Sequence, residues 1–218
     1  MRIDLTGSEL SCPCDSTNSN CFSIPIPSGE KIMSSSKCLN FTRSSPTFPT
    51  LDCSLASKNY REQLNLISSF FDGTQIYGDS LEKSKSLRSF IGGQLKTSDG
   101  VLSNRPYLPK SINEQCSTAN TTTCFLAGET RTSENLGLTS IHTLFMREHN
   151  RIALALSNLN PTWTDETIFY ETRRILVAIY QHIIYNEWIP ATIGKAVISD
   201  LRVQPINRYY FGYDSSVN

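Results

Sequence analysis

Apolar residues recur at three- and four-residue intervals over a long stretch that begins near Gly137. This spacing places side chains on one face of an α-helix, and Asn160-Pro161 supplies a helix-ending signal. The pattern therefore predicts a long helix that ends before Asn160. Its expected buried stripe comprises Ile141, Leu144, Phe145, Ile152 and Leu156.

A second amphipathic stretch follows directly. Thr164 is a suitable N-cap, and Asp165 and Glu166 occupy the first turn, where the helix dipole favours acidic side chains. We predict a helix from there to Trp188, just before Pro190. Its expected core stripe comprises Ile168, Ile175, Leu176, Ile179 and Ile183.

The periodicity between residues 61 and 120 is weaker. The run "REQLNLISSFF" places Leu64, Ile67 and Phe71 at helical spacing, which predicts a helix that the two glycines of "DGTQIYGDS" interrupt. A short helix is expected to restart in "LEKSKSLRSF". Residues 91–120 are predicted to form an irregular loop or a short hairpin.

The N-terminal 60 residues are rich in Ser, Pro and Cys, and "FSIPIPSGE" and "SSPTFPT" indicate extended or turn structure. The chain shows neither an internal repeat nor sustained strand alternation. The expected fold class is mainly α, as one domain over residues 1–218. It would combine an irregular, disulfide-linked segment (1–60) with a helical core portion (61–218).

Composition and charge narrow the function classes. The 218 residues include 39% hydrophobic and 10% aromatic residues, and the 20 Lys+Arg balance the 20 Asp+Glu. A nucleic-acid binder normally carries a basic excess, so no nucleic-acid partner is expected. No apolar run approaches the ~20 residues of a transmembrane segment. The start, "MRIDLTGSELSCPC", lacks the apolar region of a signal peptide.

Seven cysteines indicate disulfides rather than zinc, since no second C-x-x-C-type pair accompanies them and no histidine precedes residue 142. Among the N-terminal five, the spacing suggests interlaced bridges within the set Cys12, Cys14, Cys21 and Cys38. The odd total leaves one cysteine unpaired or paired outside the chain. Sequons at Asn40 and Asn120 fit an oxidising compartment, so we expect a secreted, glycosylated protein.

The stretch "SSFFDGTQIYGDS" offers oxygen ligands at alternate positions. They are the Ser68 hydroxyl, the Phe70 carbonyl, the Asp72 carboxylate and the Thr74 hydroxyl. Ca²⁺ takes six to eight oxygens, and one extended loop can supply several of them. The alternative is a plain turn that ends a helix, and the spacing alone does not decide between the two.

Arg131 and Glu134 lie three residues apart and allow two interpretations. They could form a surface ion pair, or Arg131 could be a fixed cation that stabilises developing negative charge. His142 and His149 share a helix face at a spacing of seven. Two metal ligands on a helix are usually four apart, so a buried polar network between helices competes with a metal site.

Several blocks, in this order along the chain, resemble the animal haem peroxidase superfamily, the group of myeloperoxidase, thyroid peroxidase and peroxidasin. They are "CFSIPIPSGE", "CLNFTRSSP", "REQLNLISSFFDGTQIYGDS", "TCFLAGETRTSENLGLTSIHTLFMREHNRIA" and "AIYQHIIYNEWIPATIG". The resemblance implies a helical fold, haem as cofactor, and oxidation of a small reducing substrate by hydrogen peroxide.

The resemblance also implies roles for individual residues. Arg131 matches the distal arginine that assists cleavage of bound peroxide, and Glu134 matches a carboxylate that forms an ester with haem. The implied calcium ligands are Asp4, Ser68, Phe70, Asp72 and Thr74. Cys116 and Cys124 match a short-loop disulfide. His142 and His149 fall in a structural helix and do not correspond to haem ligands.

Two departures from the family pattern bear on activity. In "RIDLTG", Ile3 stands where the family has its distal histidine, and isoleucine cannot accept and return a proton. The proximal histidine corresponds to a position beyond Asn218. We therefore expect a fragment that is inactive alone. The alternative is a non-catalytic, secreted, calcium-binding module for adhesion, in contact with the extracellular matrix.

Overall fold

The computed structural model describes residues 12–33, 36–43, 65, 67–100, 105–111, 124–201, 203 and 205. The chain divides into two compact units, Met1–Leu66 and Ile67–Asn218. Among the described residues, no helix is both long enough and apolar enough to cross a membrane.

The first unit is irregular and held by disulfides, as expected. Strands β1 (Ile24–Pro25) and β2 (Cys38–Leu39) form a short antiparallel pair. The disulfides join Cys12 to Cys21 and Cys14 to Cys38. Because one bridge begins inside the loop of the other and ends outside it, the predicted interlaced connectivity is confirmed.

The second unit is predominantly helical, which confirms the predicted fold class. Its elements are α1 (Thr74–Tyr77), α2 (Leu81–Leu87), β3 (Lys110–Ser111), β4 (Cys124–Phe125), α3 (Leu136–Leu159), α4 (Asp165–Ile183), a π-helical turn (Ile184–Trp188), α5 (Ile189–Ile193) and α6 (Lys195–Leu201). Strands β3 and β4 pair antiparallel, and α3 packs against α4.

Helix α3 has the predicted extent, and three of its five predicted core residues, Phe145, Ile152 and Leu156, are buried or pack against the core. Ile141 and Leu144, expected in the core, are 53% and 59% exposed, whereas Met146 is buried. Polar contacts join the same face of the helix to a neighbouring loop. The Asn150 side chain accepts a hydrogen bond from the backbone N–H of Leu95 (2.8 Å) and donates one to its carbonyl (3.1 Å), which turns that face of α3 toward the loop after α2.

Helix α4 begins as predicted, with the Thr164 hydroxyl accepting a hydrogen bond from the Thr167 N–H at 3.2 Å. Its buried residues are Ile168, Phe169, Thr172 and Leu176. The predicted stop before Pro190 is wrong, since helical structure continues to Ile193. Proline has no N–H and its ring crowds the carbonyl four residues earlier, and the wider π-helical turn before it accommodates both effects.

The helix predicted around Ile67 and Phe71 is absent from residues 67–73, and Leu64 lies outside the described residues. Ile67 is 62% exposed. Local hydrogen bonding to the Asp72 carboxylate competes with helix formation here, and helix α1 begins only at Thr74. The predicted short helix in "LEKSKSLRSF" is confirmed as α2.

His149 lies at the centre of the core with no exposed surface. The Tyr77 hydroxyl donates to its Nδ1 at 2.8 Å, and its Nε2–H donates to the Gly93 carbonyl at 2.9 Å. The N–H of Gly93 in turn donates to the Asp165 carboxylate at 2.6 Å. One imidazole thus connects α1, α3 and the loop that reaches α4, which confirms the interpretation of His149 as part of a buried polar network.

Arg88, which follows α2, forms a second buried link to α4. It is 3% exposed, and its Nη2 donates to the carboxylates of Asp165 (2.8 Å) and Glu166 (2.6 Å). Its guanidinium lies 4.1 Å from the centre of the Phe169 ring. The negative first turn of α4 and the aromatic face together compensate for burying this charge.

The buried histidine predicts a pH dependence of stability. Burial lowers the pKa of His149 to about 4, assisted by the positive charge of Arg88 and opposed by the hydrogen bond to Gly93. The unfolded chain therefore binds the proton more readily between pH 6.5 and 4.5. We expect the free energy of unfolding to fall by about 2 kcal/mol over this range, measured by urea denaturation.

The matched control is His182→Asn, because His182 is an exposed residue of α4. This variant should keep the wild-type pH slope. A free energy of unfolding that stays constant from pH 6.5 to 4.5 in the wild-type chain would contradict the assignment of His149 as a neutral, buried group.

Candidate functional site

The candidate site includes the turn between β4 and α3, which carries Arg131 and Glu134. Its base is fixed by Thr132, which is 1% exposed and donates from its hydroxyl to the Glu129 carbonyl at 2.7 Å. The Thr139 hydroxyl donates to the Thr132 carbonyl at 2.8 Å, and the Glu134 N–H donates to the Arg131 carbonyl at 3.0 Å. These bonds hold the turn against the start of α3.

Arg131 is 58% exposed and pairs with Glu129, not with Glu134. Its Nε and Nη2 donate to the two carboxylate oxygens of Glu129, the Nη2 bond at 2.8 Å. The hydrogen bond and charge of Glu129 raise the pKa of Arg131, and the same hydrogen bond lowers the pKa of Glu129. The interpretation of Arg131 and Glu134 as a surface ion pair is therefore wrong.

Sequence reasoning missed Glu129, although its carboxylate stands only two positions before Arg131. Helical spacing favoured Glu134, but this segment is a turn, in which neighbours two apart can face each other. The pairing has a chemical consequence. An arginine carries five N–H donors, and the Glu129 carboxylate engages those on one edge, which leaves the others available to a second anion.

In the predicted cation loop, the side chains of Ser68 and Thr74 converge on the carboxylate of Asp72. The carboxylate accepts hydrogen bonds from the Ser68 hydroxyl (3.0 Å), from the Thr74 N–H (3.0 Å) and from the Thr74 hydroxyl. Burial acts to raise the pKa of Asp72, but these hydrogen bonds outweigh it and hold the pKa below its usual value. The Phe70 N–H donates to the Ser68 hydroxyl at 3.2 Å.

The donor set around Asp72 is all oxygen, as a hard cation requires, but it contains one carboxylate. Within the described ranges, no group of three or more His, Cys, Asp or Glu residues could hold a metal ion. Asp4, the second carboxylate expected at this site, lies outside the described residues. The described residues therefore contribute one carboxylate and two hydroxyl groups to this loop.

Gly128 connects the Arg131 turn to helix α1. A Cβ atom at this position would overlap backbone atoms of Thr74, Ile76 and Gly78. Only glycine lets the two backbone segments approach this closely. The turn that carries Arg131 is therefore seated directly on the helix that begins at Thr74, one of the predicted cation ligands.

The remaining predicted site residues lie in different environments. Cys124 is disulfide-bonded, but Cys116 lies outside the described residues, so their pairing stays a prediction. The sequon residue Asn40 is exposed. Asn120 also lies outside the described residues.

The three histidines are not arranged as an axial ligand of haem iron. His149 uses both ring nitrogens in the core. The Nδ1–H of His142, a buried residue, donates to the Leu138 carbonyl at 2.7 Å, and its Nε2 is enclosed without a hydrogen-bond partner. His182 lies at the exposed surface of α4, 3.2 Å from the Asn186 side chain. These contacts are consistent with His142 and His149 as structural residues of α3.

The chain resembles a known family and its curated members along most of its length. The family model for animal haem peroxidases matches residues 3–218. A peroxidasin homolog of Mus musculus is 38% identical over 218 residues, covering 94% of this chain and 14% of the relative. A chorion peroxidase of Aedes aegypti is 36% identical over 200 residues, covering 90% of this chain and 25% of the relative. The chain thus spans a quarter or less of the length of these curated relatives.

Solved structures give the same result for the fold. Peroxidase A of Dictyostelium discoideum superposes with a TM-score of 0.65 at 29% identity, over 96% of this chain and 40% of that chain. A fatty acid alpha-dioxygenase of Oryza sativa shares the fold, with a TM-score of 0.56 at 18% identity over 83% of this chain and 26% of that chain. The chain therefore belongs to the animal haem peroxidase family.

Proposed function

We propose that this chain supplies the Arg131 side of a peroxidase site that uses hydrogen peroxide to oxidise a small reducing substrate. The observation that carries the proposal is an exposed arginine, held on one edge by Glu129, in a turn of a chain that belongs to the animal haem peroxidases. The family match favours this function over the non-catalytic adhesion module, and contact with the extracellular matrix stays a hypothesis.

Haem, when bound, supplies the iron at which peroxide is reduced. The role proposed for Arg131 is electrostatic, since its unengaged N–H donors can stabilise negative charge on the departing oxygen. Glu134, three residues later and exposed, is the carboxylate proposed to attach covalently to haem. Neither residue can act as the general base, because arginine stays protonated and Glu134 is assigned to attachment.

Proton transfer and iron ligation are not assigned to any of the described residues. By the family resemblance, Ile3 stands where the distal histidine is expected, and the three histidines make other contacts. We therefore propose that a polypeptide of residues 1–218 is inactive alone. Activity on this proposal requires an axial ligand and a base in addition to Arg131 and Glu134.

The first test compares Arg131→Gln with Arg151→Gln in the complete haem-containing protein. Loss of one charged donor at the reacting oxygen should lower kcat/KM for peroxide by about 100-fold, measured by oxidation of a phenolic dye. Arg151 pairs with Glu148 on the exposed side of α3, so its replacement should leave kcat/KM for peroxide unchanged.

The same assay applied to the 218-residue polypeptide with added haem should give no more activity than free haem. A wild-type rate in Arg131→Gln would contradict the role of Arg131. Substantial peroxidase activity of the 218-residue polypeptide would contradict the proposal that it is inactive alone.

The second proposal concerns Ca²⁺, which would be held by Ser68, Phe70, Asp72 and Thr74 together with Asp4. The convergence of hydroxyl groups on Asp72 supports it. We expect Ca²⁺ to raise the Tm of the wild-type chain and to leave the Tm of Asp72→Asn unchanged, in calorimetry with and without millimolar Ca²⁺.

The control for the calcium experiment is Asp79→Asn, since Asp79 is an exposed carboxylate just after α1. It should retain the full rise in Tm. An equal rise in Asp72→Asn and the wild type would show that the ion binds elsewhere.

An extracellular location is proposed for the protein. Two disulfides in the first unit and an exposed Asn40 in a sequon support it, because both modifications arise in the secretory compartment.

A further inference from the structure

The carboxylate of Glu129 contacts Arg131 at several points. Two bonds join the carboxylate to the Nε and Nη2 of the guanidinium, and the backbone N–H of Arg131 approaches one carboxylate oxygen at 3.4 Å. A guanidinium engaged along one edge has lost rotation about its long axis, so the direction of its other donors is fixed.

We propose that Glu129 is a positioning residue, whose carboxylate fixes the orientation of Arg131 so that the unengaged guanidinium donors face the reacting peroxide oxygens. This role rests on the proposed function of Arg131. Glu129 itself touches neither substrate nor haem in this scheme and acts only through the arginine.

The base of the pair is rigid even though Arg131 is exposed. The Glu129 carbonyl is fixed by the buried hydroxyl of Thr132, and Gly128 is in close contact with the backbone of α1. The Glu129 side chain is 24% exposed against 58% for Arg131. The more enclosed carboxylate therefore serves as the anchor, and the arginine is the group that it directs.

Stability alone does not account for this arrangement. Exposed ion pairs contribute little to stability, so the pair adds little to the free energy of unfolding. Pairing also reduces the net charge that the arginine presents to an anion. Orientation is the remaining benefit, because a donor that is already aligned needs no reorganisation during reaction.

The chain contains a matched comparison. Glu148 and Arg151 form an equally bidentate, exposed pair on α3, with bonds of 2.8 and 2.7 Å. Neither residue belongs to the Arg131 turn. Replacing Glu148 therefore removes the same kind of interaction without changing the proposed site.

The first arm of the test uses the full chain without haem. The Nε–H of Arg131 is followed by ¹H–¹⁵N NMR in the wild type, Glu129→Gln and Glu148→Gln, with Arg131→Gln to assign the signal. We expect hydrogen exchange of this Nε–H to accelerate at least about fivefold in Glu129→Gln and to stay unchanged in Glu148→Gln. Equal exchange in all three proteins would overturn the positioning role.

The second arm measures kcat/KM for peroxide in the complete haem-containing protein. Glu129→Gln should lower it by about tenfold with an unchanged Tm, and Glu129→Gln/Arg131→Gln should match Arg131→Gln alone. Additive losses, or a wild-type rate in Glu129→Gln while Arg131→Gln is impaired, would overturn the positioning role. A wild-type rate in Arg131→Gln would instead refute the proposed function, which the NMR arm does not test.

Discussion

A neutral, fully buried imidazole determines how the helices of the second unit meet. His149 accepts from Tyr77 and donates to Gly93, so the rotation of α3 is fixed by two directional bonds in addition to apolar packing. An unmade bond at either nitrogen would leave a buried polar atom without a partner, at a cost of about 1–3 kcal/mol. The same contact reaches α4, because the N–H of Gly93 also donates a hydrogen bond to Asp165 at the start of that helix.

The same rigid frame supports the candidate site. Helix α1 contributes Tyr77 to the core network and receives the close contact of Gly128 on its backbone. The Arg131 turn therefore stands on an element whose own position is set by the core. Such support matters for electrostatic catalysis, because a charge contributes most when its direction is fixed before the reaction begins. The carboxylate of Glu129 extends that support to the guanidinium itself.

The sequence predicted the main elements well because their signals are local. Capping by Thr164 and termination at Asn160 depend on neighbouring residues, and both are observed. Ile141 and Leu144 were mispredicted as core residues, because apolar spacing does not show which face of α3 packs against distant partners such as Gly93 and Leu95. The extension of the helix past Pro190 depends on a π-helical turn, which no residue pattern specified. The helix expected around Ile67 is absent, because hydrogen bonds with the Asp72 side chain compete with helix formation there.

The candidate site was predictable only in part. Family-like motifs identified the segment that carries Arg131, and local alternation identified the oxygens that gather around Asp72. Neither kind of signal revealed the pairing of Arg131 with Glu129 or the contact of Gly128 with α1, since both depend on three-dimensional geometry. These contacts distinguish a fixed cation from an exposed arginine on a surface.

The proposed orientation of Arg131 by Glu129 toward the reacting ligand can be observed directly. The most direct measurement is a crystal structure of the complete haem-containing protein with cyanide bound in place of peroxide. We expect a guanidinium N–H donor roughly 3 Å from the bound ligand, with the Glu129 carboxylate still engaged on the opposite edge. A guanidinium directed into solvent, or one that has left Glu129 to reach the ligand, would contradict the proposed orientation.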